Sequence, residues 1–234
     1  MHQLPEIIAQ ATHSTVTAWI WGLSLILQIT LFIALFSRRI ASSFPLFTNF
    51  VGFYLVRSVI LYLTFDYISI EEYRGLYNLL LLLDIVVQAC LAAELCNALA
   101  REKGGWNLNR LVAGIAAALV ASAGTWLTIR LTPHASIPLD RGQLFFAILA
   151  TLIFIASLSS SNYLLRTIAE GWGLFSIISF AADIGRAVAA TGGHPRRYAA
   201  WSYALAGAYL VVVVFWLVTL RPPAEAPAPV RAKA

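Results

Sequence analysis

Apolar positions along this chain fall into seven long stretches, roughly Val16–Phe36, Phe44–Phe65, Leu76–Ala98, Leu108–Ile129, Gln143–Tyr163, Trp172–Ala190 and Tyr198–Leu220. Each is close to the ~20 apolar residues that a helix needs to cross a bilayer. The intervening breaks are short and polar: SRRIASSFP, DYISIEEYRG, REKGGWNLNR, RLTPHASIPLDRG, RTIAEG and TGGHPRR. They mix charge with Gly, Pro or Ser, residues that interrupt helices and form turns. The pattern predicts an all-α membrane protein of seven transmembrane helices. Residues 1–15 form an outer N-terminal segment, 16–220 the helical domain, and 221–234 a tail. The tail sequence RPPAEAPAPVRAKA is Pro/Ala-rich and is expected to be extended.

Composition narrows the class. The 234 residues are 60% hydrophobic and only 12% charged, against about 25% charged in soluble domains. A soluble enzyme, a disordered chain and a disulfide scaffold are therefore excluded. Cys90 and Cys96 are the two cysteines; six positions apart on one helix, they face different ways and read as unpaired buried thiols. The net charge of +5 is not a nucleic-acid signal, because the basic residues are spread over the breaks.

Their distribution instead reports topology. Arg38, Arg39, Arg101, Lys103, Arg110, Arg166, Arg221, Arg231 and Lys233 fall on one side, and Arg74, Arg130, Arg141, Arg196 and Arg197 on the other. The positive-inside rule places the first group in the cytoplasm, so the N-terminus is outside and the C-terminus inside. The arginines at 196 and 197 run against that bias. Trp19, Trp21, Tyr77 and Trp201 then lie near outer ends, and Trp106, Tyr163, Trp172 and Trp216 near inner ends, as interfacial aromatics do. The expected location is a cell membrane, of the bacterial inner-membrane type.

Spans one to three resemble spans five to seven in layout. Each triplet has a first span ending in basic residues, then an aromatic-rich segment (FPLF or WGLF), then a second span carrying one arginine, Arg57 or Arg186. A third span opens with aromatics in both. With span four as a linker, this suggests a parallel three-plus-one-plus-three repeat, and parallel repeats occur among secondary transporters. Span four also carries Gly114, Ala118 and Ser122 at i, i+4 and i+8. Such a stripe allows close helix approach and is expected to pack inside the bundle.

Four charges fall within spans: Arg57, Asp84, Asp183 and Arg186. At a rise of 1.5 Å per residue they sit roughly 17–21 Å from the inner surface, in one layer. A charge at that depth costs at least ~2.5–3.5 kcal/mol and faces the protein interior. Asp183 and Arg186 are i, i+3 and can meet on one helix face. Arg57 and Asp84 are expected to meet across the hairpin of spans two and three, with Gln88 one turn below Asp84 extending the network. Glu94 is expected to pair with Arg101 or Arg110.

No span contains Lys, so a retinal Schiff base is excluded. His2, His13, His134 and His194 all lie in the breaks or the N-terminal segment, which leaves no paired ligands for a buried haem. No metal site, cofactor or catalytic constellation is expected, and the chain is not read as an enzyme. KGGW and TGGH are turn signals without the flanking pattern of a phosphate loop.

Two functions fit. In the first, the chain is a small-solute transporter or permease whose binding site is Arg57, Asp84, Gln88, Asp183 and Arg186. Two arginines would clamp an anionic or polyhydroxy solute, with the carboxylates orienting them. In the second, the chain is a membrane sensor or accessory subunit that docks partners, and the same residues are structural salt bridges. The partners expected are the lipid bilayer and either another protein or a second copy, and not nucleic acid. A cavity reaching the charge layer favours the first, and a dry, fully paired core the second.

Overall fold

A computed structural model describes residues 15–64, 67–131 and 141–221. His2, His13, His134 and the tail beyond Arg221 lie outside the described residues. Eight helices and no strand occur among those described: α1 Thr15–Ser37, α2 Ile40–Ser43, α3 Pro45–Thr64, α4 Ile70–Glu102, α5 Leu108–Leu131, α6 Arg141–Ser157, α7 Tyr163–Thr191 and α8 Pro195–Thr219. Six of them are long and apolar enough to cross a membrane, which makes this a multi-pass membrane architecture. The expectation of a seventh span over Gln143–Tyr163 is not met at full length. α6 has 17 residues, about 25 Å at 1.5 Å per residue. It stops at Ser157, where Ser157–Ser161 form the turn.

Local chemistry explains where the other boundaries fall. α7 begins well before Trp172 because RTIAEG is helical: Arg166 Nε donates to Glu170 Oε1 at 2.7 Å, an i, i+4 pair on one face. α4 starts at a capping box, in which Ser69 and Glu72 each accept from the other's backbone N–H. With 33 residues, α4 is longer than a ~30 Å hydrocarbon core requires. α8 opens on Pro195 at its first turn, where the missing N–H costs nothing.

The helices alternate in direction. Defining the upper end as the one where α1 begins, the ring runs α1–α3–α4–α6–α7–α8 and back to α1, with α4 also touching α7. α5 packs mainly on α6, outside this ring. The lower half is a dense apolar core. It gathers Leu31 and Leu35 from α1, Phe47 from α3, Leu91 and Leu95 from α4, Trp172 from α7 and Trp216 from α8. Phe47 and Trp216 meet edge to face at 5.0 Å, and the Trp216 indole N–H donates to Thr167 O at 3.2 Å.

Helix ends in the lower half are tied by side chains from other elements. Glu94 on α4 accepts from the Leu46 N–H through Oε1 (3.0 Å) and the Phe47 N–H through Oε2 (2.8 Å), capping the start of α3. This replaces its expected pairing with Arg101 or Arg110. A carboxylate at a helix N-terminus satisfies orphan donors and the helix dipole together. Arg38 does the converse: its Nη1 donates to Leu217 O at 2.7 Å, at the end of α8. Arg110 turns back to carbonyls at the end of α4, including Ala100 O at 3.3 Å.

Two expectations about packing are corrected. Cys90 is exposed and Cys96 half-buried, so Cys90 is not a buried thiol; it lies on the outward face of α4. Gly114 and Ser122 are exposed and Ala118 only partly covered. The stripe that packs on α6 is the neighbouring one, with Ala121 and Thr125 buried and Gly124 against Ile148. Both stripes consist of small residues, and the position of α6 selects between them.

Candidate functional site

The upper half of the ring is not filled like the lower half. It holds a cleft of about 380 Å³. α1 contributes Trp21, Ser24 and Gln28, and α3 contributes Tyr54, Arg57 and Ser58. α7 contributes Phe175, Ser179, Asp183 and Arg186, and α8 Ser202 and Tyr209, with Tyr77 and Gln143 closing the rim from α4 and α6. The cleft exists because each of these helices turns a polar or aromatic residue inward every turn or two, where the lower half turns inward Leu, Phe or Ala.

Arg57 forms one wall. Its Nη1 donates to Asp84 Oδ2 at 3.0 Å, and the side chain of Asp84 is 0% exposed against 14% for Arg57. Gln143 Nε2 donates to the same oxygen. Tyr54 and Gln88 lie beside this carboxylate, and Asp84 Oδ1 makes no well-formed hydrogen bond. The guanidinium is also flanked by aromatic faces, 5.8 Å from the Tyr54 ring and 5.7 Å from the Tyr77 ring. Cation–π contact of this kind strengthens once the cation leaves bulk water. Asp84 and Gln88 thus stand behind Arg57 and are not on the cleft surface.

Arg186 and Asp183 form the facing wall. They are one turn apart on α7, and Arg186 Nη2 donates to Asp183 Oδ1. Their side chains are 28% and 30% exposed, so this pair is wetter than the first. Gly185 lets the Trp201 indole lie directly on the α7 backbone between them, where a Cβ would overlap the ring.

The structure therefore brings Arg57, Asp183 and Arg186 to one cleft and sets Asp84 and Gln88 immediately behind it. Sequence reasoning missed the rest of the lining. Gln28, buried at 1% exposure, donates through Nε2 to Ser24 Oγ at 2.9 Å and Ser58 Oγ at 3.4 Å. Tyr54 and Tyr209 stack at 6.0 Å and 25°, and Phe175 meets Tyr209 edge-on at 5.5 Å. The available signal was a glutamine in the middle of an apolar span, and tyrosines well inside spans rather than at their ends. Among the described residues no three His, Cys, Asp or Glu side chains are grouped to hold a metal ion.

Chemically, the cleft offers two guanidinium groups, one accessible carboxylate, amides, hydroxyls and aromatic faces. That equips it to bind and orient a small polar molecule. No family model, no curated protein and no solved structure matches this chain.

Proposed function

We propose that this protein is a small-solute transporter or permease of a bacterial-type cell membrane, with the upper cleft as its binding site. The observation that carries this reading is the convergence of Arg57, Asp183 and Arg186 on one cleft of about 380 Å³. Charges inside a membrane domain are costly and mark solute or ion pathways, and a cavity leading to them is what a docking scaffold does not need. The division into a polar upper half and a packed lower half supports it further. Open above and sealed below is one of the two states that alternating access requires. The excess of basic residues on the lower side supports an outward-facing cleft, and the parallel repeat expected from the sequence would give each half one arginine-bearing helix, α3 and α7.

The test uses conservative variants. A Lys at 57 or 186 keeps the charge and loses the planar fork that donates two hydrogen bonds at once. Arg57→Lys and Arg186→Lys are expected to keep the thermal stability of the parent within a few degrees in detergent. Solute uptake into proteoliposomes is expected to fall tenfold or more. If both Lys variants unfold as readily as the Ala variants, the arginines are clamps of the fold and the accessory-subunit reading replaces this one.

A further inference from the structure

The charges lining the cleft are already balanced. Arg57 is paired with Asp84, and Arg186 with Asp183. The formal charge of the site is zero. A carboxylate or phosphate entering it would compete with Asp183 for Arg186 or with Asp84 for Arg57, and would add a net charge to a site whose charges are already paired. The same holds for an amine facing Asp183.

What the cleft leaves open is neutral hydrogen bonding. Gln28 Oε1 and Ser179 Oγ are buried and have no hydrogen-bond partner, and both residues line the cleft. Gln28 Nε2 is held by Ser24, which leaves the amide oxygen of this cleft-lining residue as a buried acceptor without a donor. A buried acceptor without a donor is costly, and a ligand that supplies one recovers that cost. A hydroxyl donates and accepts at the same time, so it can give to Gln28 and take from Arg57 or Ser179. The Tyr54, Tyr209 and Phe175 rings form a continuous aromatic wall suited to the apolar C–H face of a ring-shaped ligand. The cleft volume lies near the bottom of the range of about 300–1,000 Å³ seen for ligand pockets, which suits a compact ligand.

We propose that the solute is an uncharged polyhydroxy compound of monosaccharide size, with Gln28 as the acceptor for one of its hydroxyls. This narrows the solute class and rests on the reading of the cleft as a solute site.

The experiment measures binding of matched compounds to the full chain in mild detergent by calorimetry: hexoses, pentoses, hexitols and inositol, each beside its carboxylate, phosphate or amino analogue. At least one uncharged member is expected to bind ten or more times tighter than its charged analogues. Gln28→Leu is expected to weaken that compound tenfold or more without lowering the melting temperature of the free protein. Ser179→Ala, a smaller change, is expected to weaken it severalfold and serves where Gln28→Leu does not fold. A charged analogue that binds as tightly, and loses affinity in Arg57→Lys or Arg186→Lys, overturns the uncharged class and leaves the solute site standing. Unchanged affinity in both Gln28→Leu and Ser179→Ala overturns their assignment. Absence of binding across the whole panel, together with Lys variants as unstable as Ala variants, overturns both readings.

Discussion

Arg57 combines several interactions in the cleft: an ion pair with a fully buried carboxylate, two tyrosine faces and a position on the cavity wall. Arg57→Ala alone strands Asp84, and breaking a buried pair by removing one partner costs about 3–5 kcal/mol. Arg57→Ala with Asp84→Ala is expected to cost less than the first change alone. Unfolding of the four proteins of the cycle in detergent measures this, and simple additivity would show that the two side chains do not interact. The four intramembrane charges were legible in the sequence because an apolar span gives a charge no reason to be there except a partner or a ligand. Gln28, Ser179 and Tyr209 were not, since such residues occur on many helix faces and only the neighbouring helix decides which become cleft. Glu94 was misread for a different reason. Its partners are two backbone N–H groups at the start of α3, and a helix terminus has no side chain of its own to read.

At the level of elements, α7 is the helix on which the bundle closes. A Cβ at Gly171 would overlap the Trp216 indole, and one at Gly173 would press on Phe154 Cβ and Cγ. The Trp216 ring has no room to withdraw, since it is 2% exposed and pinned to Thr167. Gly171→Ala is therefore an overpacking change, expected to cost about 1–3 kcal/mol. Gly114→Ala on α5, with nothing within 4 Å of the added methyl, is expected to be neutral or slightly stabilising. Thermal melts of the two variants in the same detergent give the contrast, and equal melting temperatures would contradict the tight α7–α8 seam. Helix existence and most helix cores were legible from apolar length alone. The ends were less so, because RTIAEG carries three polar or charged residues yet satisfies its charges within α7 itself, while the serines after Ser157 carry no charge of their own and meet that of Glu102 at the end of α4. Likewise, the choice between two stripes of small residues on α5 depends on where α6 sits, which is a fact of packing and not of spacing.

For the whole molecule, the ring of helices is asymmetric along its axis, polar and hollow at the top and apolar and dense at the bottom. Both charge pairs that line or back the hollow are short in sequence: Arg57 and Asp84 are 27 residues apart, and Asp183 and Arg186 only 3. This locality bears on biosynthesis. A nascent chain releases its segments into the bilayer from the N-terminal side onward, and each unpaired charge at the centre of an inserting helix costs ~2.5–3.5 kcal/mol. The α3–α4 hairpin carries its own counter-charge and α7 carries its own within a single turn, so neither must wait for a distant part of the chain to be made. In a glycosylation-based insertion reporter carrying only the α3–α4 hairpin, Asp84→Ala is expected to lower the inserted fraction of α3. Adding Arg57→Ala should restore it, whereas an inserted fraction indifferent to Asp84 would show that the pair forms only after the bundle assembles. On this expectation the two charge pairs enter the membrane as pairs and not one charge at a time.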